Sequence, residues 1–158
     1  MGPTGTVVGV DLVPAMLERA RARIGAVGWE NVQVVRADAT EPPVDGVDAV
    51  LAAFLTGMLE EPAAAVRTWV DRTAPGGRVT LLNAVRSERL STRPLNPLFR
   101  ALVRLGAPGR RLRRASPARA LERRYARART ALFEATVDAF EWRLGGGFVA
   151  LASGRVPE

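Results

Sequence analysis

Short apolar runs alternate with amphipathic stretches along the first half of the chain. Residues 6–11, 31–37, 47–54 and 78–83 form four such runs, each bounded by polar, proline or glycine residues. Runs of this length are typical of buried strands in a parallel sheet. The passages that connect them are long enough for helices or loops, so the pattern predicts parallel βαβ units.

Two helices are predicted between these strands. The first begins at Pro14, which suits the first helical position, and it stops at Gly25 or Gly28. The second covers residues 62–72. The apolar residues expected on their inward faces are Met16, Leu17, Ala20 and Ile24 in the first helix and Val66, Trp69 and Val70 in the second.

The second half of the chain has a different pattern. Prolines interrupt an arginine-rich region, in which residues 98–105 predict an amphipathic helix with Leu98, Phe99, Leu102, Val103 and Leu105 on its apolar side. A further helix is expected from Pro117 to about Phe133, because Ser116 and Pro117 form a good start signal. Residues 136–144 and 148–153 flank three glycines and predict an antiparallel hairpin. We therefore expect one α/β domain over residues 1–158.

Composition removes several kinds of chemistry. The 158 residues include no cysteine and no histidine. Disulfides, thiolate or imidazole metal sites, and nucleophiles or triads that need either residue are therefore excluded. No metal site is predicted, and acid–base work would need carboxylates, Tyr125 or water.

The charge is unevenly distributed. All 23 basic residues are arginines, against 16 acids, and the formal net charge is +7. Residues 86–129 hold 14 of these arginines and only two acids, Glu88 and Glu122. Such a block suggests an anionic partner: a phosphorylated substrate, a lipid surface or nucleic acid. A solvated helical face in an arginine-biased chain explains it equally well.

No run of residues approaches the length of a membrane span, and no secretory signal is visible at the N-terminus. A cytoplasmic location is the default expectation.

Two acids are placed where a ligand would be expected. Asp11 ends the first predicted strand and Asp38 follows the second. Ligands of open α/β sheets bind at the carboxyl ends of the strands, where Asp11 could accept bonds from both hydroxyls of an adenosine ribose. Asp38 could accept from the adenine amine, and the Ala39 backbone N–H could reach the ring. A purely structural role is the alternative: Asp11 would cap the helix at Pro14, and Asp38 a turn before Thr40.

Four segments resemble the class I S-adenosylmethionine-dependent methyltransferases. Residues 8–21 look like the family's second-strand motif and residues 35–39 like its third. Residues 48–54 look like its fourth strand, and residues 74–79 look like the turn into the fifth. The order and spacing match those of the family over about residues 2–85. The resemblance implies a Rossmann-like fold, S-adenosylmethionine as the cofactor, and methyl transfer to a small amine, a phospholipid headgroup or a quinone precursor.

The same resemblance implies roles for particular residues. Asp11 would hold the ribose, and Leu12 and Met16 would flank the adenosine. Asp38 with Ala39 would bind the adenine. Ala53 and Phe54 would line the floor near the transferred methyl group.

One part of the family pattern has no counterpart in this sequence. The first strand and its Gly-x-Gly-x-Gly loop, which approach the methionine half of the cofactor, are not matched by Gly2, Gly5 and Gly9. In the family that strand lies between the second and fourth strands, so its loss would leave two unpaired inner edges. We therefore expect an incomplete methyltransferase domain: a truncated product, a misassigned start or half of a partnership.

The arginine-rich region 86–129 is expected to form the acceptor side of such an enzyme. Its arginines could hold a phosphate, and its amphipathic helix could rest on an anionic bilayer with Phe99 and Leu102 buried. Methyl transfer needs mainly orientation of the reactants, so a dedicated base is not required. The candidates, which the sequence does not rank, are Asp48, Glu60, Glu61 and Tyr125.

Two other functions were weighed against methyl transfer. A non-catalytic basic module that binds nucleic acid or an anionic membrane surface is the main alternative. For nucleic acid, the basic block offers only Phe99 and Tyr125 to stack on bases. An NAD(P) oxidoreductase of the short-chain type would need a lysine four residues after its tyrosine, whereas Arg129 follows Tyr125 at that spacing. The oligomeric state and the acceptor are not determined by the sequence.

Overall fold

The computed structural model of the chain describes residues 4–87, 93–97 and 117–158. The predicted amphipathic helix at 98–105 and the middle of the arginine-rich region lie outside the described residues. The contacts divide the chain into two compact units, residues 1–44 and residues 45–158. The single domain stays a prediction.

The first unit is one βαβ passage. Strand β1 (Val7–Asp11) is followed by helix α1 (Pro14–Val27) and strand β2 (Val32–Arg36). The two strands are parallel, with Val7 opposite Val32 and Asp11 opposite Arg36. Both predicted helix signals are confirmed, since Pro14 starts α1 and Gly28 ends it in the left-handed conformation at φ +77°.

The prediction that β1 and β2 are buried is wrong. Val8 is 38% exposed and Val35 is 37% exposed. Met16 was expected to face inward with Leu17, but it is 51% exposed, whereas Leu17 is 3% exposed. The physical reason is the number of layers: this unit has two strands and one helix, so only one face of its sheet is covered by its own elements.

The second unit contains a mixed four-stranded sheet. Its strands, in chain order, are β3 (Val47–Ala53), β4 (Thr73–Ala84), β5 (Val137–Leu144) and β6 (Val149–Arg155). They lie in the order β3-β4-β6-β5. The β3–β4 pair is parallel and the other two pairs are antiparallel. The α/β class and the C-terminal hairpin are confirmed.

Strand β4 starts five residues earlier than predicted. Val47 pairs with Thr73 and Ala49 pairs with Arg78, so the intervening residues of β4 form a bulge. Gly76 takes φ +75° within it, and its N–H donates to the Val156 carbonyl over 3.1 Å. The turn predicted at residues 75–77 is therefore a bulge within β4 and does not precede the strand. Glycine adopts the backbone conformation of residue 76 at no steric cost.

Helices α2 (Pro62–Asp71) and α3 (Pro117–Ala135) pack in the core of the second unit. Val66, Trp69 and Val70 are buried, as the helical pattern predicted. Leu81 on β4 and Leu132 on α3 are fully buried. Truncating either to alanine would cost about 2–5 kcal/mol, the usual range for a core leucine.

Each sheet contains one strand with an unpaired edge that bears on the expected missing strand. Among the described residues, β1 bonds only to β2 and β3 only to β4, so each has one edge without a neighbouring strand. The described pairing is as expected for these two strands, and the loss of a strand between them stays a prediction. They are the strands that the resemblance assigns as the family's second and fourth.

Two glycines should respond in opposite ways to an added methyl group. A β-carbon at Gly154 would lie 2.7 Å from Cβ of Thr136, whose hydroxyl already donates to the Leu132 carbonyl. A β-carbon at Gly25, inside α1, would meet nothing within 4 Å. We expect Gly154→Ala to lower the free energy of unfolding by about 1–3 kcal/mol through overpacking. Gly25→Ala should raise it by about 0.5–1 kcal/mol.

Urea denaturation followed by circular dichroism and tryptophan fluorescence measures both changes. Equal destabilisation by the two substitutions would contradict the packing around Gly154.

Candidate functional site

Asp11 and Asp38 lie at the same edge of the first unit's sheet. Asp11 is the last residue of β1, and Asp38 comes two residues after the end of β2. The Ala37 N–H donates to the Asp11 carbonyl over 3.3 Å, which continues the parallel pairing past the last strand residue. Neighbouring strands are about 4.8 Å apart. The predicted placement of both acids at one carboxyl edge is therefore confirmed, and their role as ligands of a nucleoside stays a prediction.

Each of these carboxylates uses one oxygen in a local turn. Oδ1 of Asp11 accepts the N–H of Val13 over 2.8 Å. Oδ1 of Asp38 accepts the N–H of Thr40 over 2.9 Å and its hydroxyl over 2.8 Å. In the described part of the chain, Oδ2 of neither residue has a recorded hydrogen-bond partner. The structural role and the binding role are therefore compatible, because each turn is held by Oδ1 alone.

The Asp38 carboxyl is held in its ionised form. The backbone N–H and then the hydroxyl of Thr40 lower its pKa below the ordinary value of 3.8, because both donors favour the charged form. The carboxylate is exposed, so it can accept further hydrogen bonds. At neutral pH it is an acceptor and cannot act as a donor.

Large apolar side chains are exposed beside Asp11. Leu12 is 55% exposed, Val13 is 50% exposed and Met16 is 51% exposed, all within five residues of the strand end. Single exposed apolar residues need no explanation, but a group of them at a polar sheet edge is typical of a ligand-contacting surface. Ala39, next to Asp38, is half-buried. The predicted cofactor contacts Asp11, Leu12, Met16, Asp38 and Ala39 thus all belong to the carboxyl edge of the first unit.

Ala53 and Phe54 belong to the second unit, at the carboxyl end of β3. Phe54 has φ +56°, which is rare for a residue with a side chain, and its ring is 51% exposed. Its N–H donates to the Leu82 carbonyl over 2.6 Å, which fixes this backbone conformation against β4.

A buried polar pair supports the same turn. The Thr56 hydroxyl donates to Oδ1 of Asn83 over 3.0 Å, and both side chains are buried. Among the described residues, Nδ2 of Asn83 is buried without a partner. The end of β3 is therefore tied to the end of β4 by a hydrogen bond that is isolated from solvent.

The four candidate bases differ in their position and in their burial. Asp48 is the second residue of β3, five residues before its carboxyl end at Ala53, or about 16 Å along an extended strand. Glu60 and Glu61 are exposed and immediately precede α2. The Tyr125 hydroxyl is the only one of the four that is buried.

Tyr125 is not suited to accept a proton. Its pKa is raised, first by burial and then by the neighbouring Glu141 carboxylate, whose Oε1 lies 3.4 Å from the hydroxyl. The hydroxyl therefore stays protonated at neutral pH and acts as a donor.

A cluster of charged residues at the end of β4 was not predicted from the sequence. Glu122, Tyr125 and Arg129 lie on α3, Arg86 follows β4, and Glu141 and Arg143 lie on β5. Two regularities could have revealed part of it. Residues 122, 125 and 129 recur at the spacing of one helix face, and residues 141 and 143 share one face of a strand. Which helix face meets which strand face was not readable from either period.

Comparison with known proteins points to one family. A family model described as a methyltransferase domain matches residues 1–77. Aklanonic acid methyltransferase DauC of Streptomyces sp. is 30% identical over 106 residues, covering 65% of this chain and 47% of that protein. Phosphatidylethanolamine N-methyltransferase of Cereibacter sphaeroides is 33% identical over 101 residues, covering 62% of this chain and 48% of that protein.

A solved structure agrees over nearly the whole chain. The apo form of the S-adenosylmethionine-dependent methyltransferase SibL is 25% identical, with a TM-score of 0.66, and the match covers 99% of this chain and 45% of that one. The chain spans less than half the length of each of these three proteins. Within the described residues, none of the helices combines the length and apolar character that crossing a bilayer requires.

The pKa of Asp38 offers a direct test of the turn geometry. Thr40→Val removes the hydroxyl donor but keeps the backbone donor, so we expect the pKa of Asp38 to rise toward 3.8. Because the folded pKa is depressed, the stabilisation of this turn is present above the ordinary pKa. It is lost as the pH falls through the folded value.

Carboxyl-detected NMR titration measures the pKa. Thr68→Val, which removes a hydroxyl from α2 in the second unit, is the control and should leave the Asp38 titration unchanged. An unchanged pKa in Thr40→Val would contradict the hydrogen bond.

Proposed function

We propose that the chain belongs to the class I S-adenosylmethionine-dependent methyltransferases and that its protein transfers a methyl group from S-adenosylmethionine to a small-molecule or lipid-like acceptor. The observation that carries this proposal is the placement of two aspartates at the carboxyl ends of adjacent parallel strands. Sequence similarity to two methyltransferases also supports the proposal, although it covers less than half the length of each.

The first unit fits the adenosine half of the cofactor. Asp11 would accept the ribose hydroxyls, and Asp38 with Ala39 would bind the adenine edge. Each carboxylate has an oxygen that its own turn does not use. Leu12 and Met16 would cover the nucleoside. Burying such exposed side chains against a ligand contributes up to about 1.5–3 kcal/mol each.

The chain's own contribution to the reaction is binding and orientation. Bound S-adenosylmethionine supplies an electrophilic methyl group on a sulfonium centre. Holding the two reactants in line supplies much of the rate enhancement of such a displacement. We assign no catalytic base: Tyr125 stays protonated, and Asp48 lies at the amino end of β3. Ala53 and Phe54 remain proposed contacts of the methyl-bearing half.

The acceptor is proposed only as a class. The relatives named above methylate aklanonic acid and phosphatidylethanolamine, so small-molecule and lipid-like acceptors are both represented among them. A cytoplasmic location and contact with an anionic membrane surface belong to this proposal as well. The membrane contact depends on residues 98–105, which lie outside the described part of the chain.

The role of Asp11 can be tested by ligand discrimination. We expect Asp11→Asn to weaken adenosine binding by about 10–100-fold, because it removes hydrogen bonds to a charged acceptor. Wild-type protein should prefer adenosine to 2′-deoxyadenosine, and the variant should lose that preference.

Isothermal titration calorimetry measures these affinities. Glu30→Gln is the matched control: it also removes one carboxylate from the first unit, but it precedes β2 at the opposite end of the strand. Equal weakening by both substitutions, or no discrimination in the wild type, would remove Asp11 from the site.

A second measurement addresses the methionine half of the cofactor. Within these 158 residues, no segment matches the family's Gly-rich loop. We therefore propose that methyl transfer by this chain is impaired and that it binds adenosine and S-adenosylmethionine with affinities within about threefold of each other.

Calorimetry with both ligands on the same preparation checks this ratio, and release of S-adenosylhomocysteine reports turnover. S-adenosylmethionine binding more than tenfold tighter than adenosine would show that residues 1–158 hold both halves of the cofactor.

A further inference from the structure

A cleft of about 430 Å³ lies at the carboxyl end of β4, wholly within the second unit. Val85, Arg86 and Ser87 come directly after the strand and form one wall. Tyr125, Ala126 and Arg129 of α3 line it from the helix. This volume is within the range of small-molecule sites, and the carboxyl end of a sheet strand is where such ligands bind in open α/β folds.

The first ion pair at the cleft, between Arg86 and Glu122, is bidentate. Nε and Nη2 of Arg86 donate to the two oxygens of Glu122 over 2.6 and 2.7 Å. The Arg86 backbone N–H also donates to Glu122, over 3.2 Å. A bidentate pair of this kind fixes both side chains and leaves no net charge.

The second group of charges is not balanced. Nη1 of Arg129 donates to Oε2 of Glu141 over 2.7 Å, and Nε of Arg143 lies 3.3 Å from Oε1 of the same carboxylate. In the part of the chain that the structure describes, neither arginine pairs with another carboxylate. Two guanidinium groups therefore share one negative charge, and the described walls of the cleft carry one positive charge in excess.

Both guanidinium groups retain N–H donors that Glu141 does not engage. A guanidinium carries five N–H donors, and Glu141 engages only one nitrogen of each arginine. Arg129 and Arg143 are about one third exposed, at 37% and 34%. The Tyr125 hydroxyl donates to Glu141 as well, so the shared carboxylate is held from a third direction. The remaining donors of the two arginines are thus positioned by Glu141 and accessible from the cleft.

We propose that this cleft binds the methyl acceptor and that the acceptor carries a carboxylate, which Arg129 and Arg143 hold. The inference rests on the methyl transfer proposed above. The described walls of the cleft carry a single excess positive charge, which a monoanion balances. A phosphate dianion would leave an unbalanced negative charge near Glu122 and Glu141. Val85 and Ala126 would contact the apolar part of the ligand.

Binding of simple probes without S-adenosylmethionine tests the site apart from catalysis. Benzoate is the carboxylate probe, benzamide its neutral counterpart and phenyl phosphate the dianionic one, each titrated by NMR. We expect saturable benzoate binding at least tenfold tighter than benzamide binding, and weaker binding of phenyl phosphate than of benzoate.

Three substitutions sharpen the result. Arg129→Gln should weaken benzoate binding by about tenfold, because it removes a charge-assisted donor. Arg123→Gln, the matched control, removes the same charge from an exposed position of α3 outside the cleft and should change the affinity by less than twofold. Glu141→Gln keeps a side-chain oxygen that can still accept a hydrogen bond from the arginines but removes the negative charge that repels the ligand's carboxylate, so it should tighten benzoate binding severalfold. A purely structural cluster would not produce such a gain.

The outcomes separate the site from the reaction. Benzoate and benzamide binding equally, phenyl phosphate binding more tightly than benzoate, or equal losses in Arg123→Gln and Arg129→Gln would each overturn the inference. Should Arg129→Gln lower the melting temperature markedly, Arg143→Gln and Arg129→Lys carry the same test. Selective benzoate binding by a chain that binds neither adenosine nor S-adenosylmethionine would contradict the proposed function alone. Methyl transfer to neutral acceptors that benzoate does not inhibit would contradict the carboxylate site alone.

Discussion

The parallel pairing of β1 with β2 is the constraint on which the candidate site depends. Two parallel strands start at one edge of a sheet and end at the other, so the residues that follow them must meet. The bond from the Ala37 N–H to the Asp11 carbonyl extends this pairing to the last residue of β1. An antiparallel pair would have sent the two aspartates to opposite edges.

The sequence predicted elements and edges well, because both are local properties. Proline at the start of α1, glycine at its end and the glycines between β5 and β6 act through the backbone of a few residues, which any context preserves. Burial was predicted less well, as Met16 and Val8 show. An apolar side chain is buried only if another layer covers it, and the number of layers over a given strand is set by distant parts of the chain. The bulge in β4 was not predicted for a similar reason. It depends on the pairing of β4 with β3 and on the hydrogen bond from Gly76 to Val156, which follows β6.

The charge distribution shows why composition alone does not give the local charge of a surface. Residues 86–129 contain a large excess of arginine, which alone suggested a broad anionic partner. In the described residues, Arg86 is neutralised by Glu122, while Arg129 and Arg143 share Glu141. The acids that decide this balance lie partly outside the basic block: Glu141 is on β5. Over the described walls of this cleft, the small and localised excess of charge suits recognition of one group on a small molecule.

The backbone of Phe54 links stability and selection at a single residue. Side-chain-bearing residues with left-handed backbone angles are disfavoured by about 1 kcal/mol or more, and glycine is not. The ring gains little from packing, since half of it faces solvent. The free energy of the backbone conformation alone would favour glycine at this position. The fold therefore tolerates a conformational penalty at Phe54. Replacing this residue with glycine to gain thermostability would also remove the aromatic ring from the end of β3.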